Sequence, residues 1–370
     1  MWRSSFGECF AAFATSRDMN SFFQSELQNW AIVSYNDDTG LGRMAADARS
    51  VLGIGHQLVA PSARLSIKPL TEDDFLLGQD HEALREFLSD LDGIIVLEKA
   101  DWTPDLLPIA RELGLAIVVV PMWEWFRGED PLWRLCDLFL CPNRKCFDVL
   151  STLGFENKKL IPWALDLSRF PARNISGPGR HFIHNAGLVD TDDRKGTREV
   201  IQAFQRARSA EIRLTVRMQR EAELPKSDDR VRVCVGNLAD VSDLWSHGDV
   251  AIQPSKLEGI GFNVLEPICA GLPVITLDAP PMNEYPAGFR VKPRWLKRKA
   301  FSSNWVPHAH LRLPSSRVLT DAIERATQID LAEISKAQRA WAEGIFEPDE
   351  LRRQWKSALL PLVKRSCARL

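Results

Sequence analysis

Two glutamates separated by seven residues frame the stretch of this chain best equipped for chemistry: Glu258-Gly259-Ile260-Gly261-Phe262-Asn263-Val264-Leu265-Glu266. The Gly-x-Gly turn between them lets a backbone approach a ligand closely. The apolar run that follows reads as the first turns of a buried helix ending at Gly271, with a short strand from Pro273 to Leu277 behind it. A helix N-terminus offers free N–H groups that attract phosphate, and carboxylates on either side can accept hydrogen bonds from vicinal hydroxyls. A loop–helix–strand unit holding two glutamates is also ordinary α/β structure, so the spacing alone leaves both readings open.

The elements that must position this stretch alternate strand and helix along the chain. Ala31–Tyr35, Gln57–Ala60, Gly93–Leu97, Leu115–Val120 and Leu138–Asn143 read as strands. Arg43–Leu52 and Pro104–Leu113 read as helices, and another runs to Leu153 with Gly154 as its cap. The loop Asn36–Gly42 carries a Gly40-Leu41-Gly42 turn before its helix. After a Pro- and Gly-containing segment from Pro171 to Gly179 the alternation resumes. Strands are expected at His181–Ala186, Ile212–Met218, Val231–Val235, Val250–Gln253 and Val274–Leu277, and helices at Thr197–Arg206, Leu319–Thr327, Leu331–Trp341 and Glu350–Lys364. Continuous apolar strands suit parallel sheets covered on both faces, with ligands at the carboxyl ends of the strands.

The chain has 370 residues, enough for two such domains, and a net charge of −2 that exerts no global pull toward nucleic acid or anionic membrane. Its seven cysteines are scattered, with Cys136, Cys141 and Cys146 spaced unlike a zinc site or a redox pair, as expected of thiols in a reducing compartment. No run reaches the roughly 20 apolar residues that span a bilayer. The N-terminal stretch is interrupted by Glu8 and lacks a clean cleavage site, so it reads as an extra amphipathic helix or a lead-in. The acidic pairs Asp37-Asp38, Asp73-Asp74 and Asp192-Asp193 read as solvated loops, and no metal constellation is expected.

The Glu258–Glu266 stretch, its lead-in Asp249-Val250-Ala251-Ile252-Gln253-Pro254-Ser255 and the run Gly271-Leu272-Pro273-Val274-Ile275 resemble the E-x7-E region of retaining, nucleotide-sugar-dependent glycosyltransferases with the GT-B fold, as in glycosyltransferase family four (glycosyl transferases group 1). The resemblance covers most of the chain from about Ala31 onward and is strongest from Trp163 to Tyr285. It implies an α/β protein of two Rossmann-like doubly wound domains facing across a cleft, with a C-terminal helix crossing back to the first. The expected divisions are an extension at 1–29, an acceptor domain at 30–170, a donor domain at 171–345 and the crossing helix at 346–370.

The resemblance also assigns roles. Arg194 and Lys195, before Gly196, would hold a diphosphate leaving group, the one as a planar fork and the other as a point charge. Glu266 would bind the ribose hydroxyls and Glu258 would lie near the transferred sugar. The backbone of Ile260, Gly261 and Phe262, with Gly187, Gly40 and Gly42, would border the donor. The family's Gly-Arg word is Gly187-Leu188 here, so Lys256 is a further diphosphate candidate. A histidine that relatives place after the Leu115–Val120 strand is replaced by Met122-Trp123-Glu124, which makes Trp123 and Glu124 candidates for acceptor or sugar contact or members of a structural aromatic loop. Transfer would proceed with retention and without metal or cofactor, the departing phosphate taking the acceptor's proton, so the two glutamates are not a glycosidase acid/base pair.

The implied donor is a UDP-sugar ahead of a GDP-sugar. The acceptor is open among glycan, lipid carrier, small molecule and modified DNA base. The rivals are a GT-B isomerase or phosphorylase, and a degenerate module that binds a sugar nucleotide or a protein without turnover. The expected location is cytoplasmic. Lys292-Pro293-Arg294-Trp295-Leu296-Lys297-Arg298-Lys299-Ala300-Phe301 is either a solvated insertion or a peripheral contact with phosphate-rich lipid or nucleic acid.

Overall fold

The computed structural model describes residues 25–61, 67–189, 192–238, 241–295, 297–299 and 309–367. Residues 1–24 of the expected N-terminal extension lie outside them, as do Leu296, Ala300 and Phe301 of the basic stretch.

In the first half, β1 (Trp30–Ser34), β2 (His56–Val59), β3 (Asp74–Leu76), β4 (Gly93–Glu98), β5 (Ala116–Pro121), β6 (Leu138–Cys141) and β7 (Lys158–Leu160) form one sheet in the order β3-β2-β1-β4-β5-β6-β7. Every pairing in it is parallel. The central strands β1, β4 and β5 are buried nearly throughout because helices cover both faces. Those helices are α1 (Gly40–Leu52), α2 (His81–Ser89), α3 (Leu106–Glu112) and α4 (Arg144–Thr152).

A second parallel sheet follows: β8 (His181–Gly187), β9 (Arg213–Met218), β10 (Val231–Val235), β11 (Val250–Gln253), β12 (Val274–Leu277) and β13 (Phe289–Val291), ordered β10-β9-β8-β11-β12-β13. Here α5 (Thr197–Arg206) leaves β8 and α6 (Phe262–Cys269) leaves β11. A small antiparallel ribbon pairs β14 (Lys297–Lys299) with β15 (His310–Arg312), so part of the basic stretch is a strand rather than an insertion loop. The chain closes with α7 (Ser316–Ala326), α8 (Ala332–Ile345) and α9 (Pro348–Cys367).

Three further differences from the sequence-based expectation have local causes. The first helix begins at Gly40, not Arg43, because Thr39 caps it: its hydroxyl accepts the Gly42 N–H at 3.3 Å. The strands β3, β7 and β13 are three residues each, too short for a period-2 pattern to register. The helix α2 was unassigned because only Leu84 and Leu88 of its nine residues are buried.

The terminal helix does cross back to the first domain. Trp355 is fully buried against Trp163, with ring centroids 5.5 Å apart, and its indole N–H donates to the Pro162 carbonyl at 3.1 Å. Arg352 donates to the Val51 carbonyl at the end of α1, at 2.7 Å. Truncating this anchor leaves a cavity, so Trp355→Ala should cost about 3–5 kcal/mol of unfolding free energy. Trp355→Phe should cost less. Urea denaturation of both variants measures the difference.

Candidate active site at the two switch points

A doubly wound sheet leaves a crevice where the chain reverses its strand order. In the second sheet this lies between β8 and β11, and the loops leaving those two strands carry the predicted basic pair and the predicted glutamates.

The loop after β8 is set by Asp193, whose φ of +46° turns the chain and whose carboxylate caps α5 by accepting the N–H groups of Thr197 and Arg198 at 2.9 and 3.0 Å. This turn presents Arg194 and Lys195 to the loop after β11. There Glu258 accepts from Lys195 at 2.5 Å and from Arg194 at 3.3 Å. Glu258 is only 5% exposed. Burial alone would push its carboxyl up, but the charges of Lys195 and then Arg194 outweigh that and hold it below the usual glutamate range. Burial pulls the Lys195 ammonium down to about 8 despite the opposing pull of Glu258.

Gly261, with φ +93°, ends the loop and starts α6. The N–H groups of Ile260, Gly261 and Phe262 make no hydrogen bond among the described residues, as the first turn of a helix dictates. One turn on, Glu266 is 5% exposed and accepts the Trp245 indole N–H at 3.0 Å. Its other oxygen meets Arg43 of α1, in the first domain, at 3.2 Å. Asn263, on the same helix, ties back to β8 by donating to the Asn185 carbonyl at 3.1 Å.

The first domain supplies the opposite wall. Trp123 donates its indole N–H to the Glu258 carbonyl at 2.8 Å, and Asn143 donates to the Gly259 carbonyl at 2.8 Å. Glu284 crosses in the other direction, its carboxylate accepting the first N–H groups of α4, from Arg144 at 2.6 Å and Lys145 at 2.8 Å. Glu124 is 4% exposed, its Oε2 has no hydrogen-bond partner, and its carboxyl lies where a Cβ on Gly259 would fall, 2.5 Å from that position. Burial, with Glu98 and Glu258 nearby and Arg194 opposing, raises its pKa to about 8. Glu124 is therefore a neutral acid at pH 7, able to donate a hydrogen bond as well as accept one.

Glu258, Arg194, Lys195, Trp123, Glu124 and the Ile260–Phe262 turn thus converge. Glu266 sits one helical turn away. Gly187 (φ +57°) and Gly40 have open space where a side chain would project, whereas Gly42 packs its Cα directly on the Asp37 backbone. Gly42 is thus a packing residue. Lys256 is elsewhere: its ammonium is buried and committed to Glu199 at 3.0 Å and Asp193 at 3.4 Å. Trp123 is 4% exposed, and Lys145 lies 4.6 Å from its ring centroid, so its near face is covered. Sequence reasoning missed Arg43, Asn143, Trp245 and Glu284, which lie outside the Glu258–Glu266 stretch and reach the site only through tertiary placement, and it gave no role to Asn263 within that stretch. Among the described residues no group of three His, Cys, Asp or Glu side chains is disposed to hold a metal, and no helix is long and apolar enough to cross a membrane.

Two expectations follow. Gly42→Ala should destabilise the fold by about 1–3 kcal/mol through overpacking, whereas Gly40→Ala should leave the denaturation midpoint in place. The second concerns pH. As pH rises from 4.5 to about 8, an unfolded Glu124 sheds its proton while the folded one keeps it, so stability falls with pH. Two groups oppose this decline: His184, held down to about 4 by burial, and Lys195, held down to about 8, bind more protons unfolded than folded, His184 up to about pH 7 and Lys195 as pH nears 8. Asp47, raised to about 6 by burial, adds to the decline below that value. Urea titrations between pH 5 and 8 should therefore give a stability–pH slope that is more negative in the wild type than in Glu124→Gln.

Residues 180–300 match the family model described as glycosyl transferases group 1. No curated protein matches the chain. Solved structures do. One is HepE from Anabaena in complex with UDP and glucose, at 13% identity and a TM-score of 0.61 over 90% of this chain and 99% of that one. Another is sucrose-phosphate synthase from Thermosynechococcus elongatus, at 13% and 0.61 over 91% and 99%. A glycosyltransferase from Rickettsia africae is similar at 9% and 0.59 over 90% and 98%. The chain therefore has the GT-B glycosyltransferase fold, and its second sheet carries the sequence pattern of the group 1 glycosyl transferases.

Proposed function

We propose that this protein is a retaining, metal-independent glycosyltransferase that moves a sugar from a nucleoside diphosphate donor, UDP-sugar ahead of GDP-sugar, to an acceptor hydroxyl. The observation that carries this reading is the convergence of Arg194, Lys195 and the unbonded N–H groups of Ile260–Phe262 at the β8/β11 switch point. Fixed cations and an N-terminal helix dipole there suit a diphosphate whose charge grows as the glycosidic bond breaks. In this reading Glu266, one turn along α6, accepts from a ribose diol, and Glu258 and Glu124 contact the sugar, which their burial at the same corner supports. The UDP and glucose bound by Anabaena HepE support a uridine donor. Unpaired thiols at Cys136, Cys141, Cys146, Cys234 and Cys269 suit a reducing cytoplasm.

A binding module without turnover is the second reading. It draws on the fact that Glu258 neutralises Arg194 and Lys195 while Arg43 occupies Glu266. In the transferase reading, donor entry replaces these contacts.

Calorimetry with UDP, GDP and their sugars, on wild type and Glu266→Ala, tests the donor site. Selective binding of one nucleotide should weaken about tenfold or more in the variant, the loss of a charged acceptor to two hydroxyls. Failure of the folded wild type to bind any nucleotide would overturn the reading, and binding without hydrolysis or transfer to a broad acceptor panel would favour the module. The pH profile is a separate check. A diphosphate beside Lys195 favours its charged form, so nucleotide affinity should fall as pH rises through about 8, with proton uptake on binding. Lys195→Met should bind more weakly and lose that dependence.

A further inference from the structure

A second cavity, about 90 Å3, opens between the domains one residue from Glu258. Trp123 and Lys145 line it from the first domain, and Leu257, Pro280, His310 and Arg312 from the second. Lys256 also borders it, but its ammonium is taken by Glu199 and Asp193.

Two cations from opposite domains, Lys145 and Arg312, line this one cavity, and no Asp or Glu lines it with them among the described residues. Burial and then the Arg312 charge pull the Lys145 ammonium down from the usual lysine range. Neither Lys145 nor Arg312 forms a salt bridge among the described residues. The nearest acids are otherwise engaged: Asp148 pairs with Arg144 at 2.8 Å, and Glu284 caps the first N–H groups of α4. Lys145 is held over Trp123, and the β15 backbone fixes Arg312, whose N–H donates to the Lys256 carbonyl at 2.8 Å. Like charges lining one half-buried space disfavour one another. The volume would hold a tetrahedral oxyanion, since a single water needs only about 10–15 Å3 on the same measure.

We propose that this cavity binds a phosphate group between Lys145 and Arg312, and that the phosphate belongs to the acceptor. The first part stands on the cavity alone, and the second rests on the glycosyl-transfer reading above. Arg312 offers a planar fork to two phosphate oxygens and Lys145 a point charge to a third. The bound phosphate neutralises both cations and bridges the domains beside Glu258. A sugar or polyol phosphate anchored there would be an acceptor recognised by its charge.

The experiment is calorimetry and thermal shift on the full chain at constant ionic strength, with inorganic phosphate and glycerol phosphate as probes. Saturating UDP fills the Arg194–Lys195 pair, and the double substitution Arg194→Gln/Lys195→Gln replaces that block if UDP does not bind. Saturable phosphate binding should weaken at least about tenfold in Lys145→Gln and in Arg312→Gln, while UDP affinity stays within about twofold. Phosphate binding that is absent in the wild type, or unchanged in both folded variants, would overturn the site whether or not UDP binds. Tighter binding of the organic ester than of inorganic phosphate supports the acceptor assignment, and equal binding overturns that assignment in favour of a free-anion site.

Discussion

The buried carboxylate of Glu258 is the constraint around which the second domain is arranged. A charge that deep is tolerated only if cations meet it, and losing one partner of such a pair costs about 3–5 kcal/mol. The partners come from a loop some sixty residues earlier, so the β8 and β11 loops must fold against one another. That requirement explains the left-handed turn at Asp193, its capping of α5, and the buried Lys256 that neutralises Asp193 in its turn. Acid and base alternate through this corner, Glu258 meeting Arg194 and Lys195, and Lys256 meeting Asp193 and Glu199.

The same corner gathers positive charge and free backbone N–H groups. Arg194 and Lys195 are tied to one glutamate, and among the described residues the N–H groups of Ile260, Gly261 and Phe262, where α6 begins, make no hydrogen bond. A protein that only needed a stable turn here could have closed that helix with a side-chain cap, as Thr39 does for α1 and Asn143 does for α4. Gly261 offers none.

Much of this was legible in the sequence because it is local. Apolar runs such as Gly93–Leu97 and Leu115–Val120 can only be buried parallel strands when helices follow them, and the Glu258–Glu266 spacing places its turn and helix within one short segment. What stayed hidden is not local. Arg43 meets Glu266, and Trp123 meets the Glu258 carbonyl, because two sheets stack across a cleft, and no spacing rule encodes that distance. Lys256 misled for the complementary reason. Two residues before the first glutamate of the E-x7-E stretch is a suggestive place, but the loop turns its side chain inward to Glu199. Glu124 shows a third limit: its type is visible in the sequence, whereas its neutral state depends on burial.

The cap that Glu284 places on α4 couples a local event to a global one. The first N–H groups of that helix belong to one domain and their acceptor to the other. Asn143 caps the next N–H, that of Cys146, from within the first domain, so parting the domains would leave that cap in place and remove only the Glu284 contacts, at a cost of about 1 kcal/mol by the usual worth of such caps. The helix end therefore acts as a weak spring that favours contact between the domains without locking it, while α4 itself stays capped by Asn143.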